Sequence, residues 1–321
     1  MPKVLVAART FGKYSQEPVD FLRKHGFEVI VFDKEDLSSV ISDVDALIIG
    51  TPKVTENMLV NSHVKIISKH GVGVDNIDLA AATRLGIPVT IAQGANTESV
   101  AELVIGFIFS LARNIVFAHI NVKENLWPNV IGMEVHDKVL GLLGFGAIAR
   151  EVAKRALCLG MKVASYDPYV SKEDIERTGV TYVNFDEIFK ISDFVSIHVP
   201  LNEKTRNLVG ENELKIMKKT AFLINTARGG VIEEKSLIKA LKERWINGAA
   251  LDVFNEEPLN PSSELFTCGN VVMTPHMGAH TIEAVYRMNM MAAKSIVDFF
   301  EGRIPAHIVN KEVLSKLQKR G

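Results

Sequence analysis

Apolar residues fall in short runs along the chain, and most of these runs are continuous rather than alternating. In the first third they are 4–8, 27–33, 46–50, 64–68 and 89–92, rich in Val, Ile and Ala. Apolar runs of this length predict strands buried on both faces, the arrangement of a parallel sheet covered by helices. Helix-period segments such as 18–25 and 79–85 lie between them, and Gly86 stands where a left-handed residue would close the second. A second series, 139–143, 162–166, 194–199, 221–225, 248–253 and 271–273, repeats the pattern. Strand and helix alternating in this way predict an α/β chain of two Rossmann-like, doubly wound parallel-sheet domains. A long helical pattern at 98–117 joins the two series, and another at 281–301 follows the second. Neither junction is rich in Ser or Gly, so helices are expected to connect the domains, with an active-site cleft between them.

Composition narrows the classes of function. The 321 residues carry 37 basic against 38 acidic side chains and are 47% apolar, which predicts an ordinary globular protein of about two domains. A net charge of −1 gives no field that would favour nucleic acid or an anionic membrane as partner. The longest uncharged apolar stretch, 103–112, falls well short of the roughly 20 residues that span a bilayer, and the first residues contain no signal-peptide core. Cys158 and Cys268 form neither a Cys-x-x-Cys pair nor a disulfide framework, so the expected compartment is a reducing cytoplasm.

The strongest local signal is Gly141-Leu-Leu-Gly144-Phe-Gly146-Ala-Ile-Ala149, directly after an apolar run and before a helical segment reaching about Leu159. Gly144 permits a tight turn, Gly146 lets a pyrophosphate approach the backbone, and Ala149 is small enough for close helix–strand packing. The helix N-terminus offers N–H groups to phosphates. Asp167 ends the next strand, 23 residues after Gly144, where a carboxylate can accept bonds from ribose hydroxyls and repel a 2′-phosphate, which favours NAD over NADP. The alternative is that Asp167 only caps the turn it forms with Pro168.

Oxidation of a hydroxy acid needs a cationic clamp, a base and a hydride acceptor. Arg228, in Asn225-Thr-Ala-Arg-Gly-Gly230, could grip a carboxylate, and the two glycines after it could admit a substrate to the backbone. His276, in Thr274-Pro-His-Met-Gly-Ala279, could move a proton. Glu257 could orient that imidazole and favour its charged form. Taken singly, each also reads as a structural residue. His276 and His280 have metal-like spacing, but Pro275 and Gly278 oppose the helix such a pair requires, so no metal is expected.

Together these residues resemble the D-isomer-specific 2-hydroxyacid dehydrogenases, and among them the phosphoglycerate dehydrogenases. The likeness runs from about Val4 to Asn310 and rests on Gly71-Val-Gly-Val-Asp-Asn-Ile-Asp78, the Gly144 loop, His198-Val-Pro-Leu201 with Thr205, Asn225 to Gly230, Ala250-Leu-Asp-Val-Phe254 with Glu257, and Thr274-Pro-His276. The resemblance implies that Arg228, Glu257 and His276 are catalytic, with His276 the base in oxidation and the acid in reduction. It implies that Gly144, Gly146, Ala147, Ile148, Asp167, Val199, Pro200, Thr205, Thr226 and Asp252 hold NAD, Asp252 beside the nicotinamide carboxamide. Lys69, Val72, Gly73 and Arg228 would hold the substrate, with loop N–H groups on its carboxylate. The implied domains are 1–97 plus 292–321 for substrate and 98–291 for NAD. A homodimer through the NAD domain is also implied, with the helix from Glu98 and the segment near Trp127 at the interface.

One departure bears on the substrate. Many phosphoglycerate enzymes hold the phosphate with additional arginines, and the matching positions here are Ile49, Lys69 and Asn129. Only Lys69 keeps a charge, although Lys53 or His70 could compensate. 3-Phosphoglycerate is the leading expectation, with glyoxylate or hydroxypyruvate reduction next and an NAD-sensing corepressor-like protein as a reading from another class. The sequence ends shortly past the resemblance, so no C-terminal regulatory domain is expected.

Overall fold

The structure, a computed structural model, describes residues 1–32 and 36–317 and divides into two compact units, Met1–Asn96 with Ala279–Gly321, and Thr97–Gly278. Asp33, the last residue of the 27–33 run, lies outside the described residues, as do 318–321.

The first unit runs β1 (Lys3–Ala7), α1 (Glu17–Lys24), β2 (Glu28–Val31), β3 (Ala46–Ile49), α2 (Glu56–Val60), β4 (Ile66–Lys69), α3 (Leu79–Leu85) and β5 (Val89–Ile91). Its five strands are all parallel, in the order β2-β1-β3-β4-β5 of flavodoxin-like sheets. Continuous apolar runs form these strands because alternate residues feed opposite cores. Leu5, Leu47, Ile49 and Ile67 pack with Ala81 and Ala82 of α3, whereas Val4, Val6, Ile48 and Ile66 face Leu22 of α1. Gly86 closes α3 with φ 73°, the left-handed conformation its position predicts.

The second unit opens with α4 (Thr97–Ala112) and α5 (Ile115–Lys123), then β6 (Val139–Leu143), α6 (Ala147–Cys158), β7 (Lys162–Tyr166), α7 (Lys172–Glu176), β8 (Thr181–Tyr182), α8 (Phe185–Ile191) and β9 (Phe194–Ile197). It continues through α9 (Glu211–Ile216), β10 (Phe222–Asn225), α10 (Glu234–Lys242), β11 (Gly248–Leu251) and β12 (Val271–Met273). The seven strands are parallel, in the order β12-β11-β10-β9-β6-β7-β8. Counted from β6, this is the dinucleotide-binding order 3-2-1-4-5-6 with one more strand at the edge. The order reverses between β6 and β9, where Leu143 pairs with Ile197, so the segments after these strands flank the crevice in which such sheets take ligands.

The single helix predicted for 98–117 is two helices bent by 64°, because Asn114 adopts φ 52°. Asparagine tolerates that left-handed conformation, and the break lets residues 131–133 dock on the end of α4, where Met133 N–H donates to Ala112 O at 2.7 Å. No single helix among the described residues is long and apolar enough to cross a membrane. The chain rejoins the first unit at Ala279, ahead of α11 (Ile282–Phe300). Ala292, where the sequence reading places that return, lies in the middle of this helix. A helix packs as one rigid body, and Ala292, Ala293, Ile296 and Val297 pack against β1 and β3. A final turn, α12 (Leu314–Leu317), ends the described chain.

Candidate active site

The turn between β6 and α6 is built for close approach. Gly144 has φ 94°, and a Cβ there would lie 2.9 Å from the His198 carbonyl, so both conformation and space exclude a side chain. A Cβ on Gly146 would meet no atom within 4 Å, which leaves open space over the α6 N-terminus. Gly146 caps the helix with no side-chain bond, so its first N–H groups remain available. Ala149 is fully buried beneath the turn. Val199 lies beside Gly144, whereas the Thr205 hydroxyl is spent on its own loop, donating to Pro200 O at 2.5 Å and accepting from Asn202 N–H. Asp167 accepts from Phe145 N–H at 2.7 Å and Tyr169 N–H at 2.8 Å. It does cap its own turn, and it also fixes the glycine loop, while both oxygens retain acceptor capacity.

At the end of β10, buried Asn225 shapes the next turn. Its Oδ1 accepts from Ala227 N–H at 3.0 Å and its Nδ2 donates to Arg228 O at 2.9 Å. Between them the Thr226 hydroxyl is, among the described residues, the one buried side-chain polar atom without a hydrogen-bond partner. A buried hydroxyl left unpaired costs about 1–3 kcal/mol, which a ligand at this strand end would recover. Arg228 follows, half-buried, and donates from Nη1 to Ala227 O at 2.7 Å.

The sequence suggests that the two glycines after Arg228 admit a substrate, but the structure gives Gly229 a different task. A Cβ on Gly229 would lie 2.0 Å from the Phe254 carbonyl carbon, so the missing side chain makes room for the segment that carries Glu257. Phe254 N–H donates to Glu257 Oε1 at 3.0 Å. Glu257 Oε2 lies 2.6 Å from His276 Nδ1. Burial pushes the Glu257 carboxyl up, but the His276 and Phe254 hydrogen bonds and the nearby His276 and Arg228 charges outweigh it and hold it below the usual glutamate range. His276 itself has φ 51°, a conformation rare for a residue with a side chain.

That backbone is held by Asp252, which is 1% exposed at the end of β11. Its Oδ1 accepts from Thr274 Oγ1 at 2.5 Å and Met277 N–H at 2.8 Å, and its Oδ2 accepts from Gly278 N–H at 2.8 Å. The carboxylate thus grips the chain on both sides of His276. The resemblance places Asp252 beside the nicotinamide; the hydrogen bonds make it the anchor of the histidine loop.

In the first unit the loop after β4 is equally well defined. The Val72 and Gly73 N–H groups donate to no protein acceptor among the described residues. Lys69 is buried, and its ammonium donates to Gly50 O at 2.5 Å and Asn76 Oδ1 at 2.7 Å. Its charge therefore serves the wall of the loop. Ile49 is fully buried in β3, facing the core.

The family signature described as D-isomer specific 2-hydroxyacid dehydrogenase, NAD binding domain, matches residues 105–278. The chain belongs to this family. It is 43% identical over 286 residues to a glyoxylate reductase of Thermococcus litoralis, covering 86% of each protein. It is also 43% identical over 296 residues to a D-3-phosphoglycerate dehydrogenase of Methanocaldococcus jannaschii, but spans only 56% of that protein against 89% of its own length. Among solved structures it resembles the D-lactate dehydrogenase of Aquifex aeolicus, complexed with NAD and lactic acid, at TM-score 0.84 and 27% identity, covering 96% of this chain and 99% of the other. The protein is an NAD-dependent 2-hydroxyacid dehydrogenase acting on small 2-hydroxy and 2-oxo acids.

NAD fits the dehydrogenase's own residues. The open space over Gly146, the available N–H groups of α6 and the unpartnered Thr226 hydroxyl lie at the C-terminal edge of one sheet. Asn225 and Thr274, which hold Arg228 and His276 in place, were not singled out by their sequence motifs. What distinguishes them is Asn225's bonding to Ala227 and Arg228 within its own turn and Thr274's bond to Asp252 at the end of the neighbouring strand.

Proposed function

We propose that the enzyme reduces a small, unphosphorylated 2-oxo acid, glyoxylate or hydroxypyruvate, with NADH. The observation that carries this reading is the fate of the cations a phosphate would need. Ile49 is apolar and buried, Asn129 is uncharged, and the Lys69 ammonium donates to Gly50 and Asn76, so of the cations named for a phosphate, exposed Lys53 alone is left beside His70. Burial lowers the His70 imidazole to about 4, so it is neutral at physiological pH. A phosphorylated substrate would forgo charge-assisted bonds worth roughly 1.5–3 kcal/mol each. The match to glyoxylate reductase over most of both lengths supports the same choice.

NADH, when bound, supplies the hydride to the carbonyl carbon and leaves as NAD. Arg228 grips the substrate carboxylate and polarises the adjacent carbonyl, and the Val72 and Gly73 N–H groups take the remaining carboxylate charge. A proton on His276 Nδ1 satisfies Glu257 and leaves Nε2 to deliver its proton to the carbonyl oxygen, which becomes the hydroxyl. Asp167 reads the adenosine ribose, and Thr226, Val199, Ala147 and Ile148 line the cofactor.

The test is NADH consumption with glyoxylate by wild type and His276→Asn. Turnover that falls by about a thousand-fold in the variant supports the assignment, following the usual worth of a positioned acid. Equal rates would remove His276 from the chemistry.

We also assign the protein a homodimer through its NAD-binding unit. Helix α5 buries none of its residues, and Trp127 and Ile131 beyond it are 87% and 84% exposed, an apolar surface that a second copy would cover.

A further inference from the structure

Helix α11 carries an asparagine in its interior, Asn289, at 1% exposure. Asparagine is a mediocre helix former, and its amide is costly to bury unless it is hydrogen-bonded. Here it has two partners. Its Oδ1 lies 2.6 Å from His70 Nε2, and its Nδ2 donates to Thr10 O at 3.5 Å. Thr10 follows β1 and His70 follows β4, so one buried side chain ties together two loops at the C-terminal edge of the five-stranded sheet, the edge where open α/β sheets bind ligands.

His70 opens the segment Gly71-Val72-Gly73, whose last two N–H groups have no acceptor within the protein among the described residues. Gly71 stands between the tie and those N–H groups with φ 144°, a conformation glycine alone adopts freely. His70 N–H donates to Ile49 O at 2.9 Å and Gly71 O accepts from Ala92 N–H at 2.8 Å, so the start of the loop is pinned to the sheet, and the Asn289–His70 tie adds a side-chain anchor at the same point. Desolvation and the nearby Lys69 and His280 charges outweigh the Asn289 bond and leave a neutral imidazole. Nε2–H then donates to Asn289 Oδ1, and the ring adds no charge beside an anionic ligand.

We propose that Asn289, acting through His70, is a positioning residue that aims the Val72 and Gly73 N–H groups at the substrate carboxylate. This rests on the reading above that these N–H groups receive that carboxylate.

The experiment compares wild type, Asn289→Ala, His70→Ala, the double variant and His70→Gln, which keeps a side-chain donor. The measurements are KM and kcat for glyoxylate, KM for NADH, and amide hydrogen exchange at residues 71–74. The proposal expects glyoxylate KM to rise about ten-fold in each Ala variant, as for one lost buried hydrogen bond, with partial recovery in His70→Gln. Both kcat and the KM for NADH should stay within about two-fold, since the lost interaction belongs to substrate binding. The double variant should be no worse than either single one, because the residues act as one unit. Unchanged glyoxylate KM in folded variants, or additive losses, would overturn it. If Asn289→Ala does not fold, half-buried His70→Ala decides the question alone. Wild type silent with glyoxylate and hydroxypyruvate would sink the functional reading instead. Exchange then decides the positioning role: faster exchange at 71–74 in both Ala variants supports it, and unchanged exchange overturns it.

Discussion

His276 owes its place to groups that never need to touch substrate. Glu257 holds Nδ1, and Asp252 grips the chain at Thr274, Met277 and Gly278, which keeps a strained backbone in a single conformation. Asp252→Asn would turn an amide N–H toward donors and cost about 1–3 kcal/mol, so Tm and kcat should fall together. Thermal melts beside steady-state kinetics check this. The Glu257 carboxyl is held below its ordinary range, so it is a carboxylate at neutral pH and loses that charge only as pH falls through the lowered value. Glu257→Gln removes the anionic partner of the charged imidazole, and the kcat/KM profile for reduction should move to lower pH; an unmoved profile would remove Glu257 from the mechanism. The histidine, glutamate and arginine are legible in the sequence because their motifs are. The supporting role of Asp252 is not, since it consists of three hydrogen bonds across some 25 residues of chain that no spacing rule links.

At the level of elements, the strands are the easiest to read, because runs such as 46–49 and 139–143 are apolar on both faces, as strands inside a covered parallel sheet must be. The break between α4 and α5 is hidden because the apolar pattern resumes directly after Asn114 with Ile115, Val116 and Phe117, and one asparagine is too weak a signal to end a helical pattern. The glycine after Arg228 was legible as necessary but for the wrong neighbour. It yields to the Phe254 backbone, and that contact couples the arginine turn to the glutamate segment. Gly229→Ala should therefore cost on the order of 1–3 kcal/mol by overpacking and lower kcat by shifting both. Denaturant unfolding with kinetics tests it, and an unperturbed kcat would show that the two segments are independent. Asp167→Gly acts on the glycine turn through Phe145 as well as on the cofactor. It should raise the KM for NADH and narrow the preference over NADPH, and an unchanged ratio would mean that the ribose is read elsewhere.

For the whole molecule, fold and reaction class follow from two covered parallel sheets and a matching family signature. The proposed homodimer rests on one apolar surface around α5. Trp127→Glu with Ile131→Glu should shift a dimer to monomer in light scattering, because burying two carboxylates at an interface without partners is unfavourable; a wild-type monomer would contradict the assignment. Substrate identity depends on charges that the sequence displays without their partners. Lys69 reads as a free cation in the sequence, but in three dimensions it is bound to Gly50 and Asn76. The measurement that bears most directly on the central claim is the ratio of kcat/KM for glyoxylate and for 3-phosphohydroxypyruvate, both with NADH and under the same conditions. A ratio well above one is predicted, whereas preference for the phosphorylated acid would contradict the account.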